Sequence, residues 1–376
     1  MVHLESAPTW PDERLRSRPQ GLEVRVGIPA EPADKFMTGR ESESNPNTRS
    51  ITVGPVPHRR FGPTRRVDTG TAAQPFRRFG RYCLVERLGQ GRQGQVWKAI
   101  QLEPIVEMVA LKLLAPALAQ DPKRLAQFHR EAEVGAQLES PSLLQTYEFG
   151  EINGYVFMAM PLVNGVSLDE VILQVTTRCV NRVEGSGCWW TWLPEEAYIH
   201  SMVRVISRVA RALEVAHRNL VVHRDVKPAN ILIDRDREDR VYLSDFGLSR
   251  DLDGPPPTTT LYGTGTPLYM APEKLTACPS SDILCDVYAL GVTLFEAITR
   301  AHPVTIPEGL APSDWVAYIA VATPRTPRAV NPRIPRTLEA VILKAMERDP
   351  ARRYGSAAAL ADDLDEFMAN EAGRPR

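Results

Sequence analysis

The sequence predicts an α+β fold in two parts, a small strand-rich segment followed by a larger, mainly helical one. Three observations carry that reading. Between Cys83 and Met160, short apolar runs are broken by glycine and proline, and only 121–138 has helical spacing. From Pro194 onward the spacing changes, with Ile199, Met202, Ile206, Val209, Leu213 and Ala216 recurring at threes and fours. A short connection, 161–165, separates the two textures.

Taken in order, Cys83–Leu88 alternates and ends in a glycine cluster, which predicts a strand. Val96–Leu102 returns over those glycines as a second strand, and Val106–Leu114 is a third. Asp121–Leu138 is a helix whose Leu125, Phe128, Ala132 and Leu138 share one broad face. Gly135 inside it costs about 1 kcal/mol relative to alanine. Leu143–Phe149 and Tyr155–Met160 complete an antiparallel sheet. Pro194, Glu195 and Glu196 open the long helix, since proline suits a first turn and acids favour that end. Before it, Cys179–Trp192 is polar, holds three tryptophans, and reads as an insertion: a partner surface or, the favoured reading, a loop packed against itself. Further helical patterns cover Asp286–Thr299, Ser313–Ala322, Thr337–Glu347 and Ser356–Met368.

Composition narrows the class. The formal net charge of −1 over 376 residues gives no reason to expect attraction to nucleic acid or to membranes. Five cysteines without CxxC spacing predict reduced thiols. No secretory signal is visible, and no apolar run reaches the roughly 18 residues of a membrane span. A cytoplasmic protein is expected. Residues 1–79 hold ten of the 32 prolines and no sustained apolar period, so a largely disordered Pro/Arg-rich extension is expected there. Its end is basic, with Arg59, Arg60, Arg65, Arg66, Arg77, Arg78 and Arg81 set against Asp68. A solvated linker or a docking arm both fit that stretch.

The chemistry concentrates in His223-Arg224-Asp225-Val226-Lys227-Pro228-Ala229-Asn230, followed by an apolar triplet and then Asp245-Phe246-Gly247. A proline-braced loop can turn Asp225, Lys227 and Asn230 toward one reaction centre, and the strand's return brings Asp245 back beside Asn230. A carboxylate and an amide oxygen are hard donors, suited to a hydrated Mg²⁺ carrying phosphates. Upstream, Leu88-Gly89-Gln90-Gly91-Arg92-Gln93-Gly94-Gln95-Val96 is a G-x-G-x-x-G-x-V loop. Its glycines allow backbone amides close to phosphates, and continuation into a strand favours a hairpin lying over a nucleotide. In Val109-Ala110-Leu111-Lys112, strand alternation turns Ala110 and Lys112 to one face. Glu131 is the expected partner of Lys112. Its rival Glu133 lies about 200° around the helix, so both cannot face the strand.

With these motifs and Ala271-Pro272-Glu273 in one order, residues 81–370 resemble bacterial serine/threonine protein kinases of the eukaryotic-like (Hanks) type. The resemblance implies a bilobal protein-kinase fold with a small antiparallel β-sheet N-lobe carrying one helix and a larger, mainly helical C-lobe. The expected domain is 80–370, with N-lobe 80–160, hinge 161–165, C-lobe 166–370 and a tail 371–376. It further implies ATP as phosphoryl donor with Mg²⁺, Mn²⁺ being an admissible substitute. Asp225 would orient the acceptor hydroxyl and accept its proton, and Lys227 would neutralise the transferring group. Asn230 and Asp245 would hold the metal, and Lys112, paired with Glu131, the α- and β-phosphates. Ala110, Met160, Pro161, Val163 and Leu232 would border the adenine. Pro161 departs from the acid usual there but keeps the carbonyl. His223 and Phe246 would be packing elements.

Lys227 and the segment Gly265–Glu273 resemble the serine/threonine class, with Thr266 bonding Asp225 and Lys227, Glu273 pairing with Arg353, and Asp286 capping the catalytic loop. Protein substrates with Ser/Thr acceptors follow, and autophosphorylation is expected among Thr258, Thr259, Thr260 and Thr264, with Arg224 receiving the phosphate. A nucleotide-binding scaffold on the same fold should have lost Lys112, Asp225, Asn230 or Asp245, and none is lost. A small-molecule phosphotransferase would not need the peptide-seating segment. Oligomeric state is not written in the sequence.

Overall fold

The computed structural model describes residues 77–91, 94–181, 188–238, 240–246, 266–275 and 282–372. The expected disordered extension lies outside these except at its end, where the boundary at 79 is corrected. Arg77–Phe79 form a strand, β1, because Phe79 is buried and pairs with Tyr82. It is followed by β2 (Tyr82–Gln90), β3 (Gly94–Gln101), β4 (Glu107–Leu114), a short α1 (Pro116–Ala119), α2 (Pro122–Gln137), β5 (Glu148–Ile152) and β6 (Tyr155–Pro161). The strands make one antiparallel sheet in the order β1-β2-β3-β4-β6-β5.

Strand alternation gives this sheet two apolar faces. On one, Phe79, Tyr82, Leu84, Val109, Leu111, Leu113 and Phe157 form a cluster in which Phe79 meets Phe157 edge-on at 5.8 Å. On the other, Leu114, Val156 and Met158 pack against Phe128 and Ala132 of α2. Burying each such side chain contributes about 1.5–3 kcal/mol. Helix α2 begins where expected, with the Asp121 side chain accepting from the Lys123 amide and Pro122 in the first turn.

One strand differs from expectation. Leu143–Phe149 is not a strand. Only an isolated bridge forms, Leu143 with Leu243, and β5 lies at Glu148–Ile152. The reason is the turn. Asn153 and Gly154 adopt φ of 53° and 79°, the pair of left-handed residues that a tight hairpin needs, and they fix the register five residues later.

The second part holds β7 (Gly165–Ser167), α3 (Leu168–Asn181), α4 (Glu195–Arg218), β8 (Ile231–Asp234) and β9 (Val241–Leu243). It continues with α5 (Pro272–Leu275), α6 (Asp282–Thr299), α7 (Trp315–Val321), α8 (Pro327–Val330), α9 (Arg336–Ala345) and α10 (Ala357–Ala372). The hinge shortens to 162–164, since Pro161 ends β6 and Gly165 starts β7, and α10 runs two residues past the expected domain end. Helices α4 and α6 are its core, apolar through most of their length and without exposure at Met202, Ile206, Leu213, Leu290 and Phe295. Helix α3 was not separated from the expected insertion, and the tryptophans are not a self-contained loop. Trp190 is 1% exposed in the main core and donates to Gln174 of α3 at 2.9 Å. Trp189 donates to the Asp234 carbonyl of β8 at 3.1 Å. Trp192 remains exposed beneath the Arg178 guanidinium.

The expected Glu273–Arg353 pair forms, bidentate at 2.6 and 2.7 Å, with the guanidinium also donating to the Glu347, Leu284 and Arg348 carbonyls. Burial disfavours the Glu273 carboxylate, but Arg353 overrides it and holds the group below its usual range. The Glu273→Gln variant leaves a buried guanidinium without its counter-charge and should lose about 3–5 kcal/mol. A depressed carboxyl contributes stability that is present above its unfolded value and lost as pH falls through its folded one. Denaturant titrations across the acid limb should therefore show a steeper loss in the wild type than in the variant. Helix α4 closes with bonds from Leu220 N to His217 O and from Val221 N to Ala216 O. That motif wants glycine where Leu220 stands at φ 59° and 88% exposed. Leu220→Gly should raise stability by about 1 kcal/mol, read as a higher unfolding midpoint.

Candidate active site

Lys112 sits in β4, 7% exposed, with its ammonium between two acids from distant segments. It donates to Glu131 Oε1 of α2 at 2.9 Å and to Asp245 Oδ1, beyond β9, at 2.6 Å. Glu131 is thus the partner, as expected, while Glu133 is exposed. Burial disfavours the ammonium, yet Asp245 and then Glu131 outweigh it and raise its pKa. Burial pushes the Glu131 carboxyl up to about 7, aided by the charge of Asp245 and opposed by Lys112. Asp245 moves the other way despite burial, because Lys112 holds it below the usual carboxylate range.

The register around Lys112 sets its neighbours. Val96 of β3 and Met158 of β6 lie directly across from it, and Lys98 and Met160 across from Ala110. Val96, Ala110, Lys112 and Met160 therefore share a face. Gln95 does not. Its side chain is on the opposite face, where it accepts from Trp97 Nε1 at 2.9 Å, so the structure removes that side chain from the expected nucleotide contacts. Leu88, Gly89, Gln90 and Gly91 are exposed, and Gly91 and Gly94 exchange backbone bonds of 2.9 and 3.3 Å. These bracket Arg92 and Gln93, which lie outside the described residues. Gly94 is required by close approach, since a Cβ there would lie 1.8 Å from the Leu113 carbonyl oxygen. Leu232 is half-buried on β8, facing away from the fully buried Ile231 and Ile233. Pro161 pairs with Val109 at the end of β6, and Val163 follows in the hinge, half-buried.

The loop 223–230 is held from below. Asp286, 1% exposed, accepts from the backbone amides of His223 and Arg224 at 2.8 Å each and from His217 Nε2 at 2.9 Å. These bonds hold Arg224 at φ 65°, a left-handed conformation that a non-glycine residue adopts only against a cost. His223 has no exposure. Its Nε2 donates to the Ser244 carbonyl at 2.8 Å, its Nδ1 accepts from the Asp225 amide at 3.2 Å, and its ring packs edge-on against Phe246 at 4.6 Å. Both nitrogens are committed, which leaves the ring a packing and bonding element, as expected.

Asp225 is thereby presented with its carboxylate bonded to Lys227 Nζ at 2.7 Å. Asn230 donates its side-chain amide to the Asp225 carbonyl at 2.7 Å and to its carboxylate at 3.1 Å. Because the nitrogen is spent, the Asn230 oxygen is left as a donor atom for a cation. The Asn230 carbonyl accepts from the Ser244 amide at 2.9 Å, which ties the loop to the residue before Asp245. Asp245 is itself at φ 60°, its side chain 39% exposed. Thr266 begins a 3₁₀ turn, Thr266–Tyr269, but its side chain lies outside the described residues, as do Gly247 and the threonines at 258–264.

Two features escaped the sequence reading. The bond from Lys112 to Asp245 spans 133 residues, and no local spacing announces it. His217, which bonds Asp286 at 2.9 Å, was not singled out in the sequence. Its position four residues after Leu213, on the apolar stripe of α4, was the available signal.

A protein kinase domain family model matches residues 82–364. The serine/threonine-protein kinase PknD of Mycobacterium tuberculosis is 34% identical over 286 residues, covering 75% of this chain and 39% of that protein. PknH of Mycobacterium bovis is 34% identical over 288 residues, covering 75% and 43%. The chain therefore spans about two fifths of the length of these curated relatives. The crystal structure of the Mycobacterium tuberculosis PknI kinase domain aligns with a TM-score of 0.56 at 28% identity, covering 78% of this chain and 99% of that one. With the sheet, the helical part and the Lys112–Glu131–Asp245 cluster in place, the match settles the family: this chain belongs to the protein kinases.

Proposed function

We propose that this chain is an ATP-dependent serine/threonine protein kinase whose domain, expected at 80–370, also takes in β1 and the end of α10. The observation that carries the reading is the joint geometry of Lys112 and Asp225: the ammonium is fixed between two acids, and the catalytic-loop carboxylate is held by Lys227 and Asn230. Bound Mg²⁺-ATP would supply the γ-phosphoryl group and neutralise charge on its oxygens. The residues fit it. Among the described residues no cluster of three or more His, Cys, Asp or Glu could hold a metal alone. Asn230 and Asp245 offer two protein oxygens, which suits an ion that keeps waters and substrate phosphates in its shell. Mn²⁺ would find the same donors.

Lys112 anchors the α- and β-phosphates with an ammonium that its two acids keep charged. Asp225 orients the acceptor hydroxyl in line and takes its proton as the new O–P bond forms and the bond to the leaving diphosphate breaks. Lys227, 2.7 Å from Asp225, places a second cation beside the transferring group. Ala110, Met160, Leu232 and the backbone of Pro161 and Val163 border the adenine, and Thr266 helps seat a Ser/Thr-bearing protein. No helix among the described residues is long and apolar enough to cross a membrane. ATP as donor and cysteines without a disulfide at Cys83 and Cys188 favour the cytoplasm as the place of reaction. A nucleotide-binding scaffold is disfavoured because each of Lys112, Asp225, Asn230 and Asp245 is present.

The test is phosphate transfer from labelled ATP to a basic protein, with intact-mass measurement of the chain itself. The wild type should label the protein and gain phosphate on Thr258, Thr259, Thr260 or Thr264. Asp225→Asn should retain nucleotide binding while transfer falls by about 10²- to 10⁴-fold. Equal labelling by the two would overturn the reading.

A further inference from the structure

Gly135 sits inside α2, one turn beyond Glu131 and so on the same side of the helix. A glycine is unfavourable within a helix, and a compensating reason is visible. A Cβ built there would lie 2.4 Å from Thr146 Oγ1, 3.2 Å from its Cβ and 3.4 Å from its amide nitrogen. The Gly135 carbonyl also accepts from that amide at 3.0 Å. Thr146 is 8% exposed, so it has little room to withdraw.

The segment that carries Thr146 is fastened in two further directions. Leu144 N donates to Leu243 O at 3.0 Å and Leu243 N to Ser142 O at 2.9 Å, which joins it to β9 two residues before Asp245. Tyr147 N donates to Ala159 O at 2.8 Å, which joins it to β6, and β6 is paired with β4 across from Lys112. Residues 142–147 are thus the place where the carriers of Glu131, Lys112 and Asp245 are all tied to one stretch of backbone.

We propose that Gly135 is a positioning residue: its bare approach to Thr146 sets the depth of α2 at which Glu131 meets Lys112. The inference rests on the kinase reading above. A methyl at 135 would force α2 outward or tilt it, and Glu131, four residues away, would move with it. The closest obstacle is Thr146 Oγ1, so removing that atom should relieve the displacement.

Steady-state phosphorylation should be compared for the wild type, Gly135→Ala, Thr146→Ala and the double variant. Gly135→Ala should lower kcat by about 10- to 100-fold, the scale expected of a small misplacement of catalytic groups, with KM for ATP changed less than about threefold. The double variant should recover most of that loss relative to Thr146→Ala alone. A folded Gly135→Ala within about twofold of wild-type kcat would overturn the proposal, and so would a double variant no more active than Gly135→Ala. Should Gly135→Ala not fold, hydrogen exchange on the wild type decides. Peptides covering 128–137 and 142–147 should gain protection together on binding a non-hydrolysable ATP analogue, and protection of one without the other contradicts the proposal. A wild type that transfers no phosphate defeats the kinase reading itself, and this inference falls with it. An active wild type with an equally active Gly135→Ala defeats this inference only.

Discussion

A buried ammonium, Lys112, joins three parts of the chain that lie far apart in sequence. Its partners are 19 and 133 residues away in sequence. Taking the Lys112 ammonium and the Glu131 carboxyl out of water is costly, and such a cluster persists only when its geometry is good and its hydrogen bonds are made. Here the two bonds are 2.9 and 2.6 Å, and they require α2 against the sheet and Asp245 beneath it at the same time. Much of the surrounding structure serves that requirement. Phe128 and Ala132 press α2 onto the sheet on either side of Glu131, and the sheet's opposite face is sealed by Phe79, Tyr82 and Phe157.

The catalytic loop depends on a second buried charge. Asp286 accepts three hydrogen bonds and holds Arg224 in a left-handed conformation, as Asp245 is held beyond β9. Each such residue costs of order 1–3 kcal/mol, and it persists because the surroundings over-determine it. The two left-handed positions are Asp245 itself and Arg224, just before Asp225, and the nearby rings of His223 and Phe246 pack edge-on. His217 belongs to this arrangement, since it supplies a side-chain donor to Asp286.

The residues proposed to carry the chemistry were legible because spacing within a loop or strand determines which side chains can share a face. Lys112 with Ala110, and Asp225 with Lys227 and Asn230, came together as their spacing required. Long-range and non-periodic features were less legible. The register of β5 was set by Asn153 and Gly154 rather than by the apolar run before them. Helix α3 and Trp190 were hidden because a polar stretch follows directly on the helix. Trp190 is buried not only against its neighbour Trp189 but also by Gln174 and the distant core. Strand β1 grew out of a segment whose composition argues for disorder, since one buried ring, Phe79, is enough to recruit three residues. The direction of the Gln95 side chain was not read from the motif: alternation along β3 turns it to the face away from Val96, where it bonds Trp97.

The central claim is that Glu131 acts on phosphate transfer through Lys112. A double-mutant cycle in kcat/KM with Lys112→Met and Glu131→Gln measures this most directly. If the two residues work as one unit, the double variant should be about as impaired as Lys112→Met alone, so that the losses are strongly non-additive. Losses that simply multiply would show that each residue acts separately, and would contradict the account.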